Sequence, residues 1–371
     1  MNYVEQIFNE LHLIPERGFE EFKTSELLAK ELEKFGFEVH KNVGVTGIIA
    51  IYDTGIEGPT LGLRADMDAL EFIVNGETVN IHACGHDANC AMTLAAAKKC
   101  KETGIKKGKL KILFQPAEEL TEGALKMMKD PRFGNFDELI GIHLRPIEDM
   151  ELGEASEAVY HSASVQLRYK IKGLSAHGAR PHLGISALDA AVIATNSVNA
   201  IRIDPAVNHS IKVTNISVEG RTFNKIPSET LLALDLRCEC NDTMTEIKEK
   251  VRNAVEHSVM SVGATAEEIY FGEVIAADYD EDMIKTCKKA VEKVLGKSFG
   301  KMQNYGGEDF HYFTRDLNCK SCYLGIGSNA TPGLHHEKMT FDRRALEIGE
   351  KILVEIVNDR LGLINGDNIY E

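Results

Sequence analysis

The chain has 371 residues, 43% of them apolar and 27% charged. Those are ordinary globular proportions, which exclude a disordered, collagen-like or low-complexity chain and leave room for two domains. Lys and Arg total 42 against 57 Asp and Glu, a formal charge of −15; with no basic patch, this acidity excludes nucleic acid as the main partner, and no run of about 18 apolar residues offers a membrane span.

The opening Met1-Asn2-Tyr3-Val4-Glu5 stretch has no cationic start, apolar core or small-residue cleavage site after it, so a cytoplasmic chain with its 8 cysteines reduced is expected. Val4, Ile7, Phe8 and Leu11 fall on one face of a helix. A second helix is predicted from about Thr24-Ser25, with Leu27, Leu28, Leu32 and Phe35 on one side and Gly36 as its stop. The apolar runs Gly47–Tyr52, Thr60–Leu63, Leu110–Phe114 and Leu139–Ile142 are of strand length and nearly continuous, which suits strands buried on both faces. A helix over Ala91–Cys100 lies between the second and third runs, so the first part is an α/β layer.

Near residue 160 the pattern changes. Val165, Leu167, Tyr169 and Ile171 alternate with polar residues, as in a strand with one wet face. A helix over about 184–201, strands over about 211–219 and 229–238, a helix over about 243–262 and a strand over about 266–273 follow. That β-α-β-β-α-β order is ferredoxin-like. Helices near 281–295 and 343–358 resume the first style. The predicted architecture is one discontinuous α/β domain, residues 1–160 and 275–371, interrupted by an α+β domain over 161–274.

Several polar residues follow the predicted strands directly. Cys84-Gly85-His86 can bring a thiolate and an imidazole to one cation from a tight turn, or can be a core cysteine beside a helix-capping Asp87. Glu118-Glu119 after Leu110–Phe114 can divide the tasks of metal ligand and general base, or can be the solvated start of a helix over 119–128. His143, His335-His336, Asp66 and Asp68 also follow predicted strands. Open α/β sheets place their sites at such carboxyl ends, and a convergence of Asp, Cys, His and Glu there is what a two-metal hydrolase needs. Cys319-x-x-Cys322 and Cys238-x-Cys240 lack a second pair nearby and are read as core residues rather than a zinc ribbon.

The motifs, taken as an ordered set, are His12 with Pro15-Glu16 and Gly18-Phe19-Glu20-Glu21, Leu63-Arg64-Ala65-Asp66-Met67-Asp68-Ala69-Leu70, His82-Ala83-Cys84-Gly85-His86-Asp87, Gln115-Pro116-Ala117-Glu118-Glu119, Gly141-Ile142-His143, Ser175-Ala176-His177-Gly178-Ala179-Arg180-Pro181-His182 and Leu334-His335. The set resembles the zinc-dependent aminoacylase and carboxypeptidase family, peptidase family M20, and within it the amidohydrolase branch of hippurate, auxin-conjugate and N-acetyl-diaminopimelate hydrolases. The resemblance covers nearly the whole chain. It implies a mixed sheet flanked by helices that holds two divalent ions, zinc first and manganese or cobalt as alternatives. Cys84, His86, Glu119, His143 and His335 are the implied ligands, with Cys84 bridging. Glu118 is the implied general base on a metal-activated water, and Asp68 orients the site from behind. The inserted domain is implied to be a lid that dimerises. His177, with His182 as second choice, would complete the oxyanion pocket, often across the dimer. Asn224 and Arg237 look like the clamp on the substrate carboxylate. Gly306 is a candidate backbone donor in the turn Gly306-Gly307-Glu308-Asp309, and Arg145 a possible further anion contact.

The implied activity is release of the acyl group from N-acyl-L-amino acids by a homodimer. A metallo-carboxypeptidase or dipeptidase, and an inactive binding protein of the same fold, are the alternatives. The chain departs from the family pattern in four places: Asn89 stands where relatives carry a second histidine, Glu71 where they carry proline, the loop Glu71–Val79 is poor in the usual residues, and the early His-x-His-Pro is His12-Leu13-Ile14-Pro15.

Overall fold

The computed structural model describes residues 2–218 and 222–364. The chain forms two compact units. One comprises residues up to Tyr160, Asp278–Met302 and the chain from Asp309 onward; the other comprises His161–Ala277 and Gln303–Glu308. No helix among the described residues is long and apolar enough to cross a membrane.

The first unit begins with α1 (Tyr3–His12), whose Asn2 side chain accepts from Glu5 N–H and whose Val4, Ile7, Phe8 and Leu11 are buried. Then come α2 (Phe22–Lys34), β1 (Glu38–Val43), β2 (Gly47–Asp53), β3 (Thr60–Asp66), β4 (Leu70–Val74), β5 (Glu77–Ile81), α3 (His86–Thr103), β6 (Lys109–Gln115), α4 (Gly123–Met128), β7 (Glu138–Pro146), β8 (Ala155–Ser156) and β9 (Ala158–His161). The second unit carries β10 (Ala163–Lys172), β11 (Ala176–His177), α5 (Ala187–Asn199), β12 (His209–Val218), β13 (Lys225–Ile226), β14 (Glu229–Cys238), α6 (Asn241–Met260) and β15 (Thr265–Val274). Then α7 (Glu281–Leu295), β16 (Lys301–Asn304), α8 (His311–Leu317), β17 (Lys320–Ala330) and α9 (Arg344–Leu361) complete the chain.

The main sheet of the first unit is seven-stranded, in the order β1-β2-β6-β3-β7-β17-β8. β6, β3, β7 and β17 run parallel, while β1, β2 and β8 pair antiparallel at the margins. The sheet is therefore mixed, with helices packed on it. β3, β6 and β7 are buried along nearly their whole length, because helices cover both faces and shield each run of Leu, Ile and Phe from water. α3 is buried around most of its circumference and is rich in alanine, so α1 and α9 can both pack against it.

Several boundaries differ from the sequence reading. β7 continues through Pro146, so His143 lies inside a strand rather than after one. α3 starts at His86, five residues before the apolar run, because Gly85 takes φ +88 as its N-cap and turns the chain into the helix. The helix expected over 119–128 is only Gly123–Met128. Residues Glu118–Thr121 form a turn instead, with Ala117 at φ +52 and Thr121 at φ +57. The stretch Glu71–Val79, read as a loop, lies within the hairpin β4–β5.

In the second unit the sheet order is β12-β14-β10-β15, antiparallel throughout, the ferredoxin-like arrangement. Burial alternates along β10 and β14, and Val165, Leu167, Leu234 and Leu236 pack under Ile247 and Val251 of α6. The strand read over 211–219 is His209–Val218; residue 219 lies outside the described residues.

A charged knot sits within the first unit's sheet. Arg64 is fully buried on β3. Its Nη1 donates to Asp66 Oδ2 at 2.7 Å and to Tyr323 Oη at 3.3 Å, its Nε to Gln115 Oε1 at 2.9 Å, and its Nη2 to Asp309 Oδ1 at 3.3 Å. Asp309 also accepts from Gln115 Nε2 at 2.6 Å and from Ala124 N–H at 3.0 Å. One guanidinium thus ties β3 to β6, β17 and the turn before α8. Removing one partner of a buried pair leaves the others charged without water. Arg64→Met is expected to cost about 3–5 kcal/mol of unfolding free energy, measurable as a lower denaturant midpoint in chemical unfolding.

Candidate metal centre

The parallel register aligns Asp66 with Gln115 and Arg64 with Gly141, so the carboxyl ends of β3 and β6 and the second half of β7 stand side by side. Each delivers polar residues to one place. β3 leads into Asp68, β6 into the Ala117–Glu119 turn, and β7 carries His143. The Cys84-Gly85-His86 turn enters from the start of α3. His335 comes from the loop after β17, with φ +66 and its N–H donated to Ala83 carbonyl at 2.8 Å.

Three trios of candidate ligand atoms gather here, Cys84 with His86 and His143, Cys84 with Glu119 and His335, and His86 with Glu118 and Glu119; within each, the atoms lie within 4.8 Å of one another. The first two share the Cys84 sulfur. Cys84 Sγ lies 3.5 Å from His143 Nε2, and His335 Nε2 lies 3.2 Å from Glu119 Oε1. His86 Nε2 is 3.9 Å from Glu118 Oε2 and 4.0 Å from Glu119 Oε1.

The far side of each ring is anchored. His86 Nδ1 donates to Asp68 carbonyl at 2.8 Å and lies 3.2 Å from Asp68 Oδ1. His143 Nδ1 donates to Leu144 carbonyl at 2.7 Å. A carbonyl oxygen only accepts, so Nδ1 keeps its proton and Nε2 of the neutral ring turns its lone pair to the centre. His86 Nε2 and Glu119 Oε1 are buried and make no hydrogen bond, and a buried polar atom without a partner is costly. Thiolate, imidazole and carboxylate gathered in this way fit a zinc-like cation.

The electrostatics agree. Burial pushes the Cys84 thiol up, but the His86 and His143 rings pull it down further, to about 6. Hydrogen bonds donated to Cys84 and Glu119 raise His335 to about 10. Burial raises Glu119, and His335 and His86 outweigh it, leaving that carboxyl below its ordinary value. The raised His335 thus holds a proton on a lone pair for which a divalent ion would compete.

Asp68 stands behind the centre, 1% exposed. Besides His86, it accepts Glu118 N–H on Oδ1 at 3.1 Å and Glu119 N–H on Oδ2 at 3.0 Å. Asp87 does not cap α3, where Gly85 is the N-cap; its carboxylate lies 2.7 Å from His12 Nδ1 and accepts from Ala88 N–H. Asn89 has a structural task that spacing did not reveal. It donates to Asp66 Oδ1 at 2.8 Å and accepts Leu144 N–H at 3.2 Å, joining α3 to β3 and β7. Glu71 lies on β4 with Arg17 3.7 Å away. Arg145 is buried and pairs with Asp149 at 2.6 Å, a salt bridge rather than a free anion contact.

The remaining candidates lie in the second unit. His177 on β11 pairs with Lys225, and Gly178 N–H donates to Asn224 carbonyl at 2.7 Å, so His177 and Asn224 are neighbours. Arg237 is eight residues along β14 from Glu229, about 26 Å at the usual strand rise, and its guanidinium holds Asp235 at 2.8 and 2.9 Å. His177 and Asn224 therefore do not meet Arg237 within one chain. His182 is exposed in a short 3₁₀ turn. Gly306 N–H donates to Asn304 Oδ1 at 2.6 Å, within its own turn. The sequence reading missed Arg64, Asn89 and Glu21 as buried supports; a charged residue inside the apolar run of β3 was the one available signal, for Arg64.

The model of peptidase family M20/M25/M40 matches residues 62–359. An N-acetyl-L-cysteine deacetylase of Bacillus subtilis (strain 168) is 27% identical over 349 residues, covering 91% of this chain and 83% of the relative. A hippurate hydrolase of Campylobacter jejuni is 26% identical over 360 residues, covering 92% of each. Among solved structures, a Bacillus subtilis protein described as a dinuclear metal binding peptidase from the M20 family superposes with a TM-score of 0.81 at 24% identity, over 97% of this chain and 98% of that one.

Because two of the trios share one sulfur, Cys84→Ala is expected to lower bound divalent metal by at least one ion per chain, measured by elemental analysis after dialysis, while Cys319→Ala leaves it as in the parent. The chain belongs to peptidase family M20/M25/M40 and is a metal-binding hydrolase of amide bonds.

Proposed function

We propose that the chain releases the acyl group from N-acyl-L-amino acids at a two-ion centre held by Cys84, His86, Glu119, His143 and His335, zinc being the ion that best suits a thiolate and three imidazoles. The observation that carries the reading is the sharing of Cys84 between two ligand trios, with the Glu118 carboxylate beside them in a third trio with His86 and Glu119. When bound, two such ions polarise a carbonyl and make water more acidic. The deacetylase and hippurate hydrolase names of the relatives support an acylated amino acid as substrate.

The chain's own residues then divide the work. Glu118 takes a proton from the attacking water as its oxygen bonds to the acyl carbon. As the C–N bond breaks, Glu118 returns that proton to the leaving nitrogen. The acyl group leaves as a carboxylic acid and the amino acid with a free amine. Asp68 keeps the base aimed, since it holds the backbone on both sides of the Glu118 carbonyl. Glu118→Gln keeps the shape and removes the base. It is expected to retain bound zinc and to lower kcat on N-acetyl- and N-benzoyl-amino acids by about 10²–10⁴-fold. Unblocked dipeptides in the same assay separate this activity from that of a dipeptidase or carboxypeptidase, and turnover of the dipeptides alone would reverse the substrate assignment. No turnover of any of them, with less than one ion bound per chain, would favour a binding protein.

The substrate's α-carboxylate is assigned to Arg237, whose fork suits it, with His177 and Asn224 completing the pocket from a second chain. Their separation along β14 supports a homodimer through residues 161–274. The 8 free cysteines, most of them buried, suit a reducing cytoplasm. Sedimentation velocity is expected to show a particle of twice the 41.0 kDa chain mass. A monomer at micromolar concentration that turns over substrate would overturn the shared pocket.

A further inference from the structure

Glu21 is a carboxylate with 0% exposure that neither the metal centre nor its helix explains. It sits at the N-cap position of α2 but makes no capping hydrogen bond. Glu16 does the capping, its carboxylate accepting Lys23 N–H at 2.9 Å and Thr24 N–H at 3.0 Å. Glu21 turns inward. Its Oε1 accepts Ala117 N–H at 2.8 Å, and its Oε2 accepts the Thr46 hydroxyl at 2.5 Å.

Ala117 precedes the base and lies at φ +52, a conformation that costs a residue with a Cβ. Three successive backbone N–H groups, of Ala117, Glu118 and Glu119, are therefore received by two buried carboxylates, Glu21 and Asp68. The loop that carries Glu21 touches both arms of the centre. Glu16 carbonyl accepts Ala69 N–H at 2.7 Å, beside Asp68. A Cβ on Gly18 would stand 2.9 Å from Ala117 Cβ, so only glycine lets that loop press on the turn. Burial pushes the Glu21 carboxyl up to about 7, the mark of a group kept dry at a cost.

We propose that Glu21 is a positioning residue: by holding Ala117 N–H in the left-handed conformation, it aims the turn that presents Glu118 and Glu119 to the metal centre. The inference rests on the two-ion reading above and not on the identity of the substrate. Losing the acceptor frees the turn to relax, and a displacement of the order of 1 Å at a reacting group costs about 10²-fold in rate.

The test measures zinc affinity by chelator competition, and kcat separately from KM, in the full-length protein. Glu21→Ala is expected to bind one of its two zinc ions about tenfold more weakly or worse, with kcat falling more than KM rises. Glu21→Gln is expected to restore most of the loss, because its amide oxygen still accepts from Ala117 while its NH₂ donates to Thr46. Leu32→Ala, a core truncation farther along α2, controls for lost stability and is expected to bind zinc as the parent does. Wild-type zinc affinity and kcat in a folded Glu21→Ala protein would overturn the proposal, as would a Glu21→Gln protein no better than Glu21→Ala. If Glu21→Ala does not fold, Thr46→Val cuts the other bond of Glu21 and must weaken zinc in the same direction; parental affinity there overturns it equally. A parent that binds no zinc defeats the two-ion reading and this inference with it, whereas two ions held equally by parent and variant defeat this inference alone.

Discussion

The two oxygens of the Asp68 carboxylate hold the centre together. They receive the backbone N–H groups of Glu118 and Glu119 and stand against the Nδ1 side of His86, with the Asp68 carbonyl accepting that nitrogen's hydrogen bond. Proposed base, proposed ligand and a second proposed ligand thus share one support. Hydrogen bonds to an ionised group are stronger than neutral ones, and Asp68 is buried, so little solvent competes for them. The geometry is therefore set before a substrate arrives, which is what preorganised catalysis requires.

Support of this kind needs a rigid base of its own, and the sheet supplies it. Arg64 lies one turn of the pleat from Asp66, and its guanidinium, Gln115 and Asp309 tie the strand ends beneath the centre. Asn89 does the same from α3, reaching both Asp66 and the amide of Leu144. Each of these groups is buried and charged or polar, and each finds its partners in another element. The cost of removing any one is the unsatisfied partner left behind. A dense arrangement of electron-pair donors, which would otherwise repel, is held in place by a frame that cannot easily relax away from it.

Much of this was legible along the chain, and the reasons differ by residue. The continuous apolar runs of β3, β6 and β7 announced strands buried on both faces, and the alternation in β10 and β14 announced a sheet with one wet side. Cys84, Gly85 and His86 carry their chemistry locally: one turn sets their distance, so the motif sufficed. His143 and His335 were marked by their place after predicted strands but assigned as ligands by family resemblance, since 59 residues separate Cys84 from His143 and nothing in spacing says that β7 lies beside β3. The first five residues of α3 were missed because the Gly85 turn, rather than hydrophobic periodicity, begins them, and the hairpin β4–β5 because its Asn75-Gly76 turn was passed over. The helix start at Glu119 was mistaken because Asp68 captures the amides that would have begun it. Asn89 was marked as a departure from a pattern, and its role as a tether became apparent only when Asp66 and Leu144 were seen on either side.

By itself, the amino-acid sequence determined the class of each segment, the presence of two differently patterned portions, the family, and the list of residues able to bind a cation or move a proton. Those properties follow from side-chain chemistry and from periodicities of two and 3.6 residues, which are local. The tertiary structure alone decided which donors share the Cys84 sulfur, which ring nitrogen faces the centre, and which carboxylates hold the turn at Ala117. It also decided that Arg237 stands apart from His177 and Asn224. Such facts depend on strand order and parallel register, which bring together atoms hundreds of residues apart, and no local rule carries that information.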